Sequence, residues 1–274
     1  MAKMPVKAYK NLDFLNSPAA RTIRMLAEYL EPRSRFHKEK IRDTIVFFGS
    51  ARFCDAEAAA KQVQAAVGPE QVRAALQCEA GSRYYEDARQ LAAMLTKWSM
   101  GVSGEEERFI VCSGGGPGIM EAANRGASEA GGRSIGLNIS LPMEQSPNPY
   151  ITPDLSFDFH YFFMRKLWFA YMAKALIVFP GGYGTLDEMM EILTLSQTNK
   201  FRKKMLVMIY GSEYWNKVIS FDAMEELGTI DPADRDLFKF ANEPRQAFDL
   251  LTSWLEEHYP LGKHERPGGP AELG

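Results

Sequence analysis

The segment that most restricts the fold is Pro180–Ile192, PGGYGTLDEMMEI, together with the apolar run Ala175-Leu176-Ile177-Val178-Phe179 before it. That run of apolar and β-branched residues reads as a buried strand. Pro180 has no N–H to give to a central ladder, so the strand should end there. Gly181, Gly182 and Gly184 permit a turn too tight for most other residues. Thr185 and Glu188 have the spacing of a capping box, and Met189, Ile192 and Leu193 continue a helix. A strand that turns through glycines into a helix aims backbone N–H groups outward at the positive end of the helix dipole. Such a turn is a seat for an anion, most often phosphate.

The same unit recurs along the chain. Thr44–Phe48 is an apolar run followed by Gly49-Ser50-Ala51, and Phe109–Cys112 leads into Ser113-Gly114-Gly115-Gly116-Pro117-Gly118. Helices are predicted over 84–98, 119–130, 161–174, 213–227 and 243–258. Further strands are predicted over 134–139, 155–159 and 205–210, and 141–153, with four prolines, should be irregular. Strands alternating with helices predict an α/β fold, a Rossmann-like open and mainly parallel sheet with helices on both faces. In such folds ligands sit beyond the carboxyl ends of the strands, where three glycine-bearing turns converge.

Residues 44–258 read as one catalytic-size domain, with an alanine-rich helical insertion at 52–82. Residues 1–43 form an appended helical arm and 259–274 a proline- and glycine-rich flexible tail. In the arm, Ser17-Pro18 suits a helix start, Ile23, Leu26 and Leu30 line one face, and Pro32 should stop the helix. The arm carries ten Lys/Arg against five Asp/Glu. That excess suits a solvated surface helix, and equally a basic lip near an anionic ligand or a partner subunit.

Over 274 residues the formal charge is -3, which gives no reason to expect nucleic-acid binding. Cys54, Cys78 and Cys112 make an odd count without a C-x-x-C pair, arguing for a reducing compartment and against a disulfide framework or a zinc site. The first residues lack an apolar signal core and no run is long enough to span a bilayer, so the cytoplasm is the expected location. Neither glycine cluster completes G-x-G-x-x-G, because Ile119 and Asp187 stand where the last glycine belongs, and there is no G-K-[ST]. Dinucleotide and triphosphate signatures are therefore absent.

PGGYGTLDE at Pro180–Glu188 fits the pattern P-G-G-x-G-T-x-x-E, and it occurs with SGGGPGIME and with Arg165-Lys166 in FFMRK. With these motifs the chain, from about Thr44 to Leu227, resembles the Lonely guy (LOG) family. These are cytokinin riboside 5′-monophosphate phosphoribohydrolases and related nucleotide nucleosidases, some long misnamed lysine decarboxylases. The arm, the insertion and the last helix and tail lie outside the resemblance.

The resemblance implies hydrolysis of the N-glycosidic bond of a nucleoside 5′-monophosphate, AMP or a cytokinin riboside 5′-monophosphate, without a cofactor or metal, by a homodimer or higher oligomer. It maps the catalytic glutamate onto Glu188 and the catalytic arginine onto Arg165. Candidate substrate and phosphate contacts are Gly49, Ser50, Gly115, Gly116, Met120, Lys166, Gly181, Gly182, Tyr183, Gly184, Thr185 and Glu191. The chemistry fits these residue types. A carboxylate stabilises an oxocarbenium-like transition state, and a cation holds phosphate or stabilises charge on the departing base. Each also has a plainer role: Glu188 as a helix cap, Arg165-Lys166 as a solvated helix start, Met120 and Met164 as core filler. A lone His160 gives little support for a general acid. A non-enzymatic nucleotide or molybdenum-cofactor carrier on the same scaffold is the alternative, since fold alone does not decide function. A pyridoxal-phosphate decarboxylase would need a desolvated lysine, for which no lysine here has a recognisable context.

Overall fold

The computed structural model describes residues 4–140, 146–201 and 203–259. Its elements run α1 (Leu12–Asn16), α2 (Arg21–Lys38), β1 (Thr44–Phe48), α3 (Ala56–Ala65), α4 (Pro69–Val102), β2 (Ile110–Ser113), α5 (Ile119–Glu129), β3 (Ser134–Ile139) and β4 (Ser156–Phe159). Then follow α6 (Phe162–Met172), β5 (Ala173–Val178), α7 (Tyr183–Gln197), β6 (Leu206–Tyr210), α8 (Ser212–Val218), α9 (Phe221–Glu226), β7 (Phe238–Ala241) and α10 (Pro244–His258). The seven strands form one sheet in the order β4-β3-β2-β1-β5-β6-β7, and every pairing is parallel. The Rossmann-like α/β fold expected from the alternating elements is the observed one.

Strand β1 lies at the centre and is buried along its whole length. Successive side chains of a strand point to opposite faces. Val46 and Phe48 therefore join the core beneath α2, α6 and α7, with Phe36, Trp168, Met189 and Ile192. Ile45 and Phe47 join the core beneath α4, α5 and α10, with Tyr85, Leu91, Ala122 and Leu251. From β1 the chain winds outward to β4 on one side and from β5 to β7 on the other. The winding direction reverses between β1 and β5, and a crevice opens at the carboxyl ends of strands at such a switch point.

Several expectations are corrected. Helix α2 runs through Pro32 to Lys38 instead of stopping. Proline there removes the N–H that would reach the Glu28 carbonyl, and the Trp168 indole Nε1–H donates to that carbonyl instead, at 3.0 Å. The lost helical bond is thus replaced by a tertiary one. Ser17 does not cap α2; its hydroxyl donates to the Phe14 carbonyl at 2.7 Å and a 3-10 turn precedes the helix. The helix predicted over 84–98 is the second half of the 34-residue α4, continuous with the insertion. The single helix over 213–227 is two, α8 and α9. The helix predicted over 161–174 ends at Met172, where β5 begins. Strand β7 was not anticipated: only four residues long, it carries Lys239 and gives no periodic signal.

Cys54 and Cys78 are bonded to each other with Cα atoms 5.9 Å apart, correcting the expectation that the cysteines form no disulfide. They lie 24 positions apart in the sequence, and the hairpin of α3 and α4 closes that gap in space. Cys112 is free and buried in β2. The arm docks one face of α2 on the domain, through Phe36 in the core, Arg35 Nη1 on the Ser156 carbonyl and Glu28 on the backbone N–H groups of His160 and Tyr161. Ile23, Leu26 and Leu30 stay exposed. Trp168, Phe169 and Met172 of α6 are buried within their own chain. No helix among the described residues is long and apolar enough to cross a membrane. The tail 260–274 and residues 141–145 of the proline-rich loop lie outside the described residues.

Candidate active site

Three glycine-bearing turns meet at the carboxyl ends of β1, β2 and β5, and Ser50 joins them. Its N–H donates to the Pro180 carbonyl at 2.9 Å, and its own carbonyl accepts the Ile119 N–H at 3.0 Å. The contact requires glycine at two places. Gly118 has φ +71, and a Cβ there would lie 2.2 Å from the Ser50 carbonyl oxygen. A Cβ on Gly181 would lie 2.1 Å from Thr185 Oγ1. Asparagines hold the second turn from behind. Asn148 Nδ2 donates to the carbonyls of Gly115 and Gly116 and to Asn124 Oδ1, while the Ser113 hydroxyl donates to Asn124 Oδ1 at 2.6 Å. These buried amides fix the loop because each bond is satisfied away from water.

Helix α7 begins at Tyr183, with Gly182 as its N-cap and no side-chain cap. The capping box expected of Thr185 and Glu188 is absent, because Glu188 sits one turn further along and is buried, 4% exposed. The first bond of the helix is Leu186 N–H to the Gly182 carbonyl at 3.0 Å, so the N–H groups of Tyr183, Gly184 and Thr185 have no intrahelical acceptor. No acidic residue lies in that first turn, leaving its dipole uncompensated and favourable to an anion.

A cavity of about 1210 Å³ lies over these turns. Of the residues singled out from the sequence, it is lined by Gly49, Ser50, Gly116, Met120, Arg165, Gly181, Gly182, Tyr183, Gly184, Thr185 and Glu188. Gly115 lies behind the lining, against Asn148. Lys166 and Glu191 are also outside it: Lys166 Nζ is 2.7 Å from Asp187 Oδ2 and 2.7 Å from Glu191 Oε2. His160 is exposed on the neighbouring strand end, edge-on to Tyr161, and Met164 packs against the core. Sequence reasoning passed over Tyr84, Asn138, Ile139, Phe162 and Tyr214, and the insertion residues Arg52, Phe53 and Gln77, all in the lining. An asparagine inside the apolar strand SIGLNI was the one local signal among them. Tyr214 reaches the turn directly, its hydroxyl donating to the Gly181 carbonyl at 2.8 Å.

Burial pushes the Glu188 carboxyl up to about 7, against the pull of Lys166 and Arg165, with Glu191 and Asp187 adding to the rise. Burial lowers the Arg165 guanidinium from its ordinary value, and Glu188 and Asp187 counteract this. Arg165 is held near the rings of Phe162 and Phe169, 5.3 and 5.6 Å from their centroids. Its Nε is buried with no hydrogen-bond partner among the described residues. For Lys166, burial works downward but the bonds to Asp187 and Glu191 win, and its pKa is raised. The cavity thus joins an anion seat, a buried carboxyl near neutrality and a buried cation.

A family profile described as possible lysine decarboxylase matches residues 120–251. The probable cytokinin riboside 5′-monophosphate phosphoribohydrolase LOG4 of Oryza sativa subsp. japonica is 32% identical over 154 residues, 56% of this chain and 64% of that protein. The chain thus spans less than two thirds of that relative. The cytokinin riboside 5′-monophosphate phosphoribohydrolase LOG3 of Arabidopsis thaliana is 30% identical over 160 residues, 57% of this chain and 70% of that protein. Among solved structures, the Moco carrier protein from Chlamydomonas reinhardtii aligns with a TM-score of 0.47 and 18% identity, covering 79% of this chain and 99% of that one. With 30% identity across 70% of the Arabidopsis protein, this chain belongs to the LOG family.

Proposed function

We propose that this protein hydrolyses the N-glycosidic bond of a nucleoside 5′-monophosphate, releasing the free base and ribose 5-phosphate. The observation that carries the reading is Glu188: a carboxyl buried to 4% exposure, facing Arg165, in the same cavity as the uncapped start of α7. The relatives' names supply the finer substrate class, cytokinin riboside 5′-monophosphates, with AMP as the simplest member of the same chemistry.

The N–H groups at the start of α7 and the Thr185 hydroxyl hold the 5′-phosphate. The ribose then lies toward Glu188, one turn down the same helix. As the C1′–N bond breaks, its electron pair leaves with the base, and Arg165 stabilises the charge that develops there or helps hold the phosphate. The ionised Glu188 stabilises the positive charge on the sugar and takes a proton from the water whose oxygen bonds to C1′. A carboxyl near 7 is populated in both forms at neutral pH, as a group that both accepts and returns a proton requires. A carrier would use the anion seat and leave a buried Glu188 without a task. The proposal includes residues 44–258 as one catalytic domain and a homodimer or higher homo-oligomer; the Cys54–Cys78 bond removes the reducing-compartment argument for the cytoplasm, whose support is then the sequence start alone.

The test is incubation with a panel of nucleoside 5′-monophosphates and the matching nucleosides, with free base read by chromatography. Base release from monophosphates only is expected. No release from any member rejects the reading, and equal kcat/KM for nucleoside and monophosphate rejects the phosphate anchor.

A further inference from the structure

The cavity has two halves, one on each side of the sheet. Glu188 and Arg165 belong to α7 and α6, which pack with Val46 and Phe48 on one face. The other half is walled by Arg52, Phe53, Arg73, Gln77 and Tyr84. Arg73, Gln77 and Tyr84 are on α4, which packs with Ile45 and Phe47 on the opposite face. The glycine turn of Gly181–Thr185 forms the crest between the halves. Tyr84 stands against that crest: its Cε1 and the Pro180 Cγ both lie within 3.4 Å of where a Cβ of Gly211 would be.

A nucleotide anchored by its phosphate on the crest, with its ribose over Glu188, lies toward the α6–α7 half. The volume of about 1210 Å³ exceeds the roughly 300–1,000 Å³ of ordinary small-molecule pockets, and part of its lining belongs to the α3–α4 wall. There the wall carries two guanidinium groups. Arg52 and Arg73 are exposed and, among the described residues, form no ion pair. Glu70 is the one carboxylate in the same wall, so the wall remains net positive. Phe53 and Tyr84 stack at 6.1 Å and give it a firm floor, and the Cys54–Cys78 bond ties Phe53's segment to α4.

We propose that the α3–α4 half of the cavity is a subsite for a second phosphoryl group attached to the 5′-phosphate of a bound nucleotide, held by Arg52 and Arg73. Guanidinium forks match phosphate oxygens in geometry and charge, and a phosphoryl group leaving the crest away from the ribose enters that wall first. The ligand class is a nucleoside 5′-diphosphate or a pyrophosphate ester of one. The inference rests on the proposed nucleotide reading of the crest.

The experiment is equilibrium titration of the full chain, in a Glu188→Gln background that blocks turnover, with AMP, ADP and ADP-ribose. The expected result is that ADP binds at least about tenfold tighter than AMP, and that Arg52→Ala with Arg73→Ala abolishes this gain while AMP affinity moves by less than about twofold. ADP-ribose sharing the gain identifies a bridging pyrophosphate, and a gain confined to ADP a terminal phosphoryl group; either supports the subsite. AMP binding with no gain for ADP, or a gain that survives the double substitution, overturns it while leaving the nucleotide reading intact. Failure of all three compounds to bind overturns both. Thermal melting of the double variant, whose two replaced side chains are exposed, checks that the fold is kept.

Discussion

Lys166 Nζ lies 2.7 Å from Glu191 Oε2, one turn beyond Glu188 on the same helix. With the matching contact to Asp187, Lys166 pins α6 to α7 from both sides of Glu188 and thereby sets Arg165 opposite it. Its charge is spent on two carboxylates outside the cavity lining, so it acts on Glu188 through space and through the helix.

Lys166→Gln should therefore lower kcat by about tenfold, through looser placement of Arg165 against Glu188, with little change in KM. Because the Lys166 charge pulls the Glu188 carboxyl down, the midpoint of the pH–rate profile should also move upward. A raised KM with unchanged kcat and an unmoved midpoint would instead make Lys166 a phosphate contact.

Glu188→Gln should keep the fold and much of the nucleotide binding while turnover falls by roughly 10²–10⁴-fold, the usual contribution of a positioned acid or base. The amide keeps the shape and loses the charge. Release of base at near wild-type rate would remove Glu188 from the mechanism.

The same substitution should change how stability depends on pH. Glu188 sits at about 7 in the folded protein against an ordinary 4.5, so the folded state holds its proton more tightly than the unfolded state. Its contribution to stability is fully present below 4.5 and is lost as pH rises through about 7. Relative to Glu188→Gln, the wild-type protein should lose up to about 3 kcal/mol across that window. Denaturant melts of both proteins on either side of it check the sign. A difference that is flat with pH would mean that Glu188 stays ionised in the folded state.

Reducing the Cys54–Cys78 bond should destabilise the α3–α4 hairpin. Closing a loop of 24 residues removes unfolded-state entropy worth about 3 kcal/mol. Melting with and without dithiothreitol measures the loss. A thiol titration of the denatured, unreduced protein should find Cys112 alone, and three reactive thiols would show that the pair is open.

Ile23, Leu26 and Leu30 are 46%, 54% and 54% exposed along one stripe of α2, although the opposite face of that helix is docked. Phe162 and Phe163 are each 51% exposed at the start of α6. Multi-angle light scattering should give twice the 30.8 kDa chain mass, and Leu26→Glu should return it to one chain. A fully active species at one chain mass rejects the homodimer.

The sequence by itself determined the alternation of strands and helices, because period and turn chemistry are local properties of the chain. Ile45–Phe48 and Ala175–Phe179 are unbroken apolar runs with glycine behind them, and a parallel sheet covered on both faces is what such runs require. The glycine turn into α7 was legible for the same reason, and Glu188 and Arg165 stood out through the motifs that contain them. The motif could not tell a helix cap from a buried carboxyl, since both place Glu188 three residues after Thr185.

Contacts between distant segments decided the rest. Pro32 lies inside a helix because Trp168, 136 positions away, supplies the donor that proline lacks. Lys166 pairs with Asp187 and Glu191 because the fold brings its end of α6 beside the start of α7. Cys54 met Cys78 because α3 folds back on α4. Arg52, Phe53, Gln77 and Tyr84 reached the cavity because that hairpin lies over the carboxyl end of β1. Each of these depends on the position of a second element, and propensity and spacing along one stretch carry no information about where that element lies.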